Sequence, residues 1–160
     1  MRIAVLSDTH IPARLSHIPG KVYEVCSEAD LVLHAGDHVE REVLNDLERM
    51  APVKAVRGNM DGPDLSYLPD SLALDLEGRR VCMIHGSGAP LGLARRAYRV
   101  FENNEPDLIV FGHSHIYTHK DKNGVILLNP GAVCGRSGHR TMAVLSLLEG
   151  EPPSIEKVAF

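Results

Sequence analysis

Residues 107–115, DLIVFGHSH, decide how this chain is read. Leu108 to Phe111 are four consecutive apolar residues, the length and composition of a buried strand, and Gly112 closes the run before two imidazoles at His113 and His115. The opening of the chain repeats the pattern. Its apolar run RIAVLS, residues 2–7, ends in Asp8-Thr9-His10. Two buried runs that each finish in paired polar side chains place a candidate site where strands end.

Between these two runs, DLVLHAG (30–36) and PVKAVRG (52–58) read as two further strands. A loop holding Pro12 and Pro19 and a helix at about 20–29 precede the first, and the amphipathic REVLNDLERM (41–50) lies between them. Such strand–helix–strand alternation predicts parallel pairing through right-handed crossovers. The pattern then changes. SLALDLEGRRVCMIHG (71–86) predicts two antiparallel strands around a tight turn at Glu77-Gly78, LGLARRAYRVFENN (91–104) a basic amphipathic helix, and the remainder short strands at about 116–119, 125–128, 141–148 and 155–160. The expected fold is an α/β sandwich of two mixed β-sheets flanked by helices, with residues 1–160 as a single domain.

Composition narrows the function. With 160 residues, 44% hydrophobic and 24% charged, the chain can bury one sizeable core. Aromatic residues make up only 4%, Trp is absent and the net charge is −4, which argues against a nucleic-acid partner. The three cysteines, Cys26, Cys82 and Cys134, are scattered without a CxxC, as expected of free thiols in a reducing cytoplasm. The first apolar run is too short for a signal peptide and no stretch is long enough to span a bilayer, so no membrane association is expected.

Strand after strand ends in a group able to bind a metal. The first ends in Asp8 and His10, the second in Gly36-Asp37, the third in Gly58-Asn59, the hairpin in His85 and the last in His113 and His115. Successive ends stand 22 to 28 residues apart, about one strand–helix–strand step. Strand carboxyl ends line one edge of an open α/β sheet, where ligands bind. In extended backbone, residues two apart project to the same side, so Asp8 with His10 and His113 with His115 are each expected to offer two groups. Two carboxylates, one amide oxygen and four imidazoles suit Mn²⁺, Fe, Zn²⁺, Co²⁺ or Ni²⁺ better than Ca²⁺ or Cu(I). Seven donors exceed the needs of one tetrahedral zinc and suffice for two ions about 3.5–4 Å apart.

In this order and spacing, SDTH (7–10), Gly36-Asp37, GNMD (58–61), IHG (84–86) and GHSH (112–115) resemble the five motifs of the calcineurin-like metallophosphoesterases, over nearly the whole chain. LLNPGAV (127–133) resembles the Asn-Pro-Gly turn of the small single-domain phosphodiesterase branch. The resemblance implies that Asp8, His10 and His115 bind one metal, that Asn59, His85 and His113 bind a second, and that Asp37 bridges them. It also implies a hydroxide between two divalent ions, Mn²⁺ first among them, attacking phosphorus, with Asp37 and Asn59 as catalytic residues. The substrate is expected to be a small phosphate ester, diester before monoester.

Where much of the family carries a histidine after the motif asparagine, this chain has Met60, which holds no transferable proton. His38, next to Asp37, is the candidate stand-in acid, and Asp61 is expected to serve a turn. Arg57, Arg136, His139 and Arg140 are candidate contacts for substrate phosphate. His34 is expected to support the site by a hydrogen bond, while His17 and His119 read as surface residues. Rival readings are a non-catalytic interaction scaffold on the same fold, a nuclease, a phosphomonoesterase and a protein phosphatase. The sequence is compatible with a homo-oligomer.

Overall fold

The computed structural model describes residues 1–136 and 138–160. Among the described residues, ten strands form two five-stranded sheets. In the first, β1 (Arg2–Leu6), β2 (Leu31–His34) and β3 (Val53–Ala55) run parallel, and β9 (Thr141–Ser146) and β10 (Ser154–Ala159) add antiparallel on the other side of β1, giving the order β10-β9-β1-β2-β3. In the second, β5 (Arg79–Ile84), β6 (Leu108–Phe111) and β8 (Val125–Asn129) are parallel, with β4 (Ser71–Leu76) and β7 (Thr118–Lys122) antiparallel at the two edges, order β4-β5-β6-β8-β7. This is the expected sandwich of two mixed sheets.

The continuous apolar runs have a simple cause: each central strand is buried on both faces. Alternate residues Ile3, Val5, Leu31, Leu33, Val81, Met83, Leu108 and Val110 fill the space between the sheets. Ala4, Leu6 and Val32 face outward under α1 (Gly20–Ser27) and α2 (Glu42–Glu48), meeting Val22, Val25, Cys26, Val43 and Leu47. On the other flank Cys82, Ile109 and Phe111 meet Leu93, Ala97 and Phe101 of α3 (Leu93–Phe101), spaced four residues apart on one helix face.

The turn at Glu77-Gly78 has φ of +47° and +71°, which suits a two-residue hairpin between β4 and β5. One local reading changes, and one short element is new. The strand expected at about 116–119 begins at Thr118 and runs to Lys122; being mostly exposed at a sheet edge, it carries no hydrophobic alternation to mark it. A short 3₁₀ turn at Pro63–Leu65, started by its proline, carries Leu65 into a small cluster with Leu44 and Ala55.

Candidate metal centre

Each candidate ligand stands just past the carboxyl end of a parallel strand: Asp8 and His10 after β1, Asp37 after β2, Asn59 after β3, His85 after β5, His113 and His115 after β6. The fold brings all seven together. Their backbone differs from the extended form expected of them. The strands stop at Leu6 and Phe111, and Asp8, His10, Asp37, His113 and His115 all have positive φ, between +48° and +68°. Left-handed backbone at non-glycine residues costs about 1 kcal/mol each and here turns the side chains toward one point.

The donor atoms form two groups that share an oxygen. In one, His10 Nε2 lies 3.6 Å from Asp8 Oδ1, 3.4 Å from Asp37 Oδ2 and 3.3 Å from His115 Nε2, and His115 Nε2 lies 3.2 Å from Asp8 Oδ1. In the other, His85 Nε2 lies 3.3 Å from the same Asp37 Oδ2 and 3.2 Å from Asn59 Oδ1, which is 3.0 Å from His113 Nδ1. A cation with bonds of about 2.0–2.2 Å to N and O donors sets those donors roughly 3.0–3.5 Å apart. The spacing fits.

Proton placement fits as well. His85 Nδ1 faces the carbonyl of Ala35 at 2.7 Å and His113 Nε2 faces the carbonyl of Gly88 at 2.9 Å. Both nitrogens of each ring thus face acceptors, yet a neutral imidazole carries one hydrogen; placed on the backbone side, it leaves the lone pairs of His85 Nε2 and His113 Nδ1 pointing at oxygens. Lone pairs converging on oxygens repel unless a cation lies among them. Asp8 Oδ1 is buried without a hydrogen-bond partner among the described residues, as expected of an oxygen that faces a cation.

Electrostatics reflect this crowding. Burial alone would raise the pKa of Asp8, but the close imidazoles of His10 and His115 outweigh it and hold the carboxyl well below its ordinary range. The neighbouring Asp8 carboxylate, then the contact with Cys134, pushes His115 up to about 10. Burial opposes charge on His85, yet the adjacent carboxylates of Asp37 and Asp8 raise its pKa.

Supporting contacts explain why the loops hold. Ser7 Oγ donates to Asp8 Oδ2 at 2.7 Å, and the Met60 N–H donates to Asp37 Oδ1 at 2.8 Å, leaving Oδ2 for the centre. His34 sits where support was expected: Gly36 N–H donates to its Nδ1, so its Nε2–H donates to Thr9 Oγ1, whose hydroxyl reaches the Asp37 carbonyl. Gly58 must be glycine, since a Cβ there would overlap the backbone nitrogen and Oδ1 of Asp37. Asn129, read from sequence only as part of a turn, donates through Nδ2 to the Gly112 carbonyl at 2.7 Å and to Ser114 Oγ at 3.1 Å, bracing the loop that carries His113 and His115.

Other expectations need correction. His38 is fully buried, lies 3.0 Å from Asp61 and stacks on His34 with ring centroids 3.8 Å apart. It faces inward and cannot hand a proton to a leaving group. Asp61 does more than serve a turn: Oδ1 accepts from Val39 N–H and Oδ2 from Gly58 N–H, joining the loop of Asp37 to the loop of Asn59. A cavity of about 510 Å³ opens beside Asn59 and His85 and is lined also by Arg57, Asp70, Ile84 and Ser87. Arg57 is bound there through Nε and Nη2 to Asp70 Oδ1, at 3.1 and 2.8 Å. Arg136 and His139 lie exposed on the loop after the Asn-Pro-Gly turn, outside that cavity, and Arg140 Nε is occupied by the Gly135 carbonyl. No helix among the described residues is long and apolar enough to cross a membrane.

The sequence from residue 1 to residue 150 matches the calcineurin-like phosphoesterase superfamily domain, and the chain belongs to that family. It is 38% identical over 132 residues to a "probable metallophosphoesterase" of Methanothermobacter thermautotrophicus, covering 82% of this chain and 77% of that protein. It is 25% identical over 166 residues to a phosphodiesterase of Methanocaldococcus jannaschii, covering 91% and 92% of the two. Among solved structures, a Thermotoga maritima protein superposes with a TM-score of 0.77 at 37% identity, covering 99% of each chain. Entamoeba histolytica Vps29 complexed with zinc shares the fold, with a TM-score of 0.79 at 22% identity and 99% of each chain covered. The family is metal-dependent, and this chain carries groups of side chains suited to holding an ion.

Proposed function

We propose that this chain is a phosphodiesterase working with two divalent cations, Mn²⁺ first and Fe, Zn²⁺, Ni²⁺ or Co²⁺ as alternatives. Asp8, His10 and His115 would hold one ion, Asn59, His85 and His113 the other, and Asp37 would bridge them. The observation that carries the reading is the single oxygen Asp37 Oδ2, 3.4 Å from His10 Nε2 and 3.3 Å from His85 Nε2. When bound, such a pair supplies Lewis acidity toward the ester oxygens and lowers the pKa of a water nucleophile.

The chain's own residues set the rest. Met60 N–H fixes the rotamer of Asp37, and Asp61 holds the loops of Asp37 and Asn59 together. The cavity beside Asn59 and His85 is open enough to admit an ester group, with Arg57 at its rim to orient it. Met60 holds no transferable proton and His38 is turned inward, so neither supplies one to the leaving oxygen. Esters with good leaving groups should therefore react best. The phosphodiesterase relative supports the lean toward diesters. The scaffold reading is disfavoured because all seven ligand positions keep donor side chains.

The test is activity of the metal-reconstituted protein on a panel of nitrophenyl phosphate mono- and diesters, with Asp37→Ala beside it. Diester turnover by the parent, falling by about 10³-fold or more in the variant, is the expected result. A variant as active as its parent overturns the mechanism.

A further inference from the structure

Arg96 lies on α3, a helix whose basic face reads from sequence as merely solvated. Its guanidinium instead folds back over the start of its own helix. Nε and Nη2 donate to the Ser87 carbonyl at 3.1 and 2.9 Å, Nη1 to the Leu91 carbonyl at 3.0 Å, and Nη2 also to the Ala89 carbonyl. Three carbonyls of the loop that joins β5 to α3 are gathered on one planar fork. Gly88, between Ser87 and Ala89, is the residue whose carbonyl faces His113 Nε2.

The two imidazoles of the second donor group are thus braced in different ways. His85 leans on the Ala35 carbonyl, immediately past β2, and is buried. His113 leans on an exposed loop, and Arg96 is what shapes that loop. Without a fixed acceptor at Gly88, the ring of His113 is free to turn and to carry its hydrogen on Nδ1, the nitrogen that faces Asn59.

We infer that Arg96 is a positioning residue for the second donor group: through the Gly88 carbonyl it fixes the tautomer and orientation of His113. A lysine cannot replace it, because one ammonium on a flexible stem does not span three carbonyls. This rests on the reading that Asn59, His85 and His113 hold a cation, but the tautomer part does not.

The experiment uses the full chain, metal-free, as parent, Arg96→Ala, Arg96→Lys and a control, Arg95→Ala, an exposed neighbour on the same helix. Histidine-¹⁵N NMR reads the tautomer of His113, and calorimetric titration with Mn²⁺ alone reads affinity. Parent and control should show His113 with its hydrogen on Nε2. Both Arg96 variants should show a mixture, and one of two Mn²⁺ binding events should weaken about tenfold while the other keeps its affinity. If Arg96→Ala folds poorly, Arg96→Lys keeps the stem and charge and decides alone. An unchanged His113 signal, or an unchanged weaker binding event in a parent that binds two ions, overturns the inference. If the parent shows no second event, the metal reading fails and the tautomer alone decides the role of Arg96.

Discussion

The two halves of the centre are built to different standards. In the first, Asp8, His10 and the shared Asp37 are at most 2% exposed and their loops are hydrogen-bonded to one another, with only His115 half-buried. In the second, His85 is buried, but Asn59 is exposed and His113, half-buried, rests on a surface loop. The first half is fixed by the core before any ligand arrives. The second borders the cavity and depends on contacts near water, where a substrate can enter. Rigidity is concentrated on one side of the shared Asp37, access on the other.

The most damaging way to break this contrast acts at the seam. Gly58→Ala drives a methyl into Asp37 and should lower the unfolding free energy by about 3 kcal/mol and abolish Mn²⁺ binding, as read by urea denaturation and calorimetry. Next come ligand deletions on either side. His10→Ala should weaken both Mn²⁺ binding events about 100-fold, since its neighbour Asp37 Oδ2 serves both, whereas His113→Ala should weaken only one. Equal effects from the two variants would erase the distinction between the halves.

Acid probes the buried side. Asp8 and Asp61 are held below the unfolded carboxyl value of about 3.9, so they stabilise the fold above that pH, and the contribution is lost as pH falls through it toward the folded values. The melting temperature of the metal-free protein should drop by about 5 °C between pH 5 and pH 3, with a flatter profile for Asp8→Asn. A pH-independent melt contradicts this. The smallest effect lies on the open side. Arg57→Ala removes an exposed ion pair worth about 0–1 kcal/mol, so melting should hardly move while KM for a nitrophenyl diester rises about threefold.

The core and the meeting of the candidate donors were legible in the sequence because both obey local rules. Runs such as LIVF at Leu108–Phe111 must be buried, and the residues just past a buried parallel strand must lie at its carboxyl edge. Conformation at that edge was not legible. Asp8-Thr9-His10 looks like a strand continuing, and only tertiary hydrogen bonds, such as Asp8 N–H to the Gly36 carbonyl, turn it left-handed. The direction of His38 was hidden for the same reason: a neighbour of Asp37 can face either way, and the pull of Asp61, twenty-three positions on, decided it. Arg96 was hidden because a helix pattern shows which side is apolar, not what a long polar side chain reaches.

Five of the seven donors sit on backbone that L-amino acids avoid, a tension the surrounding sheets are strong enough to sustain. Glycine would relax every one of those positions at the cost of its donor atom. Fitness for chemistry and ease of folding therefore pull in opposite directions at the same residues. A relative with no use for the donors would gain stability by letting these side chains go.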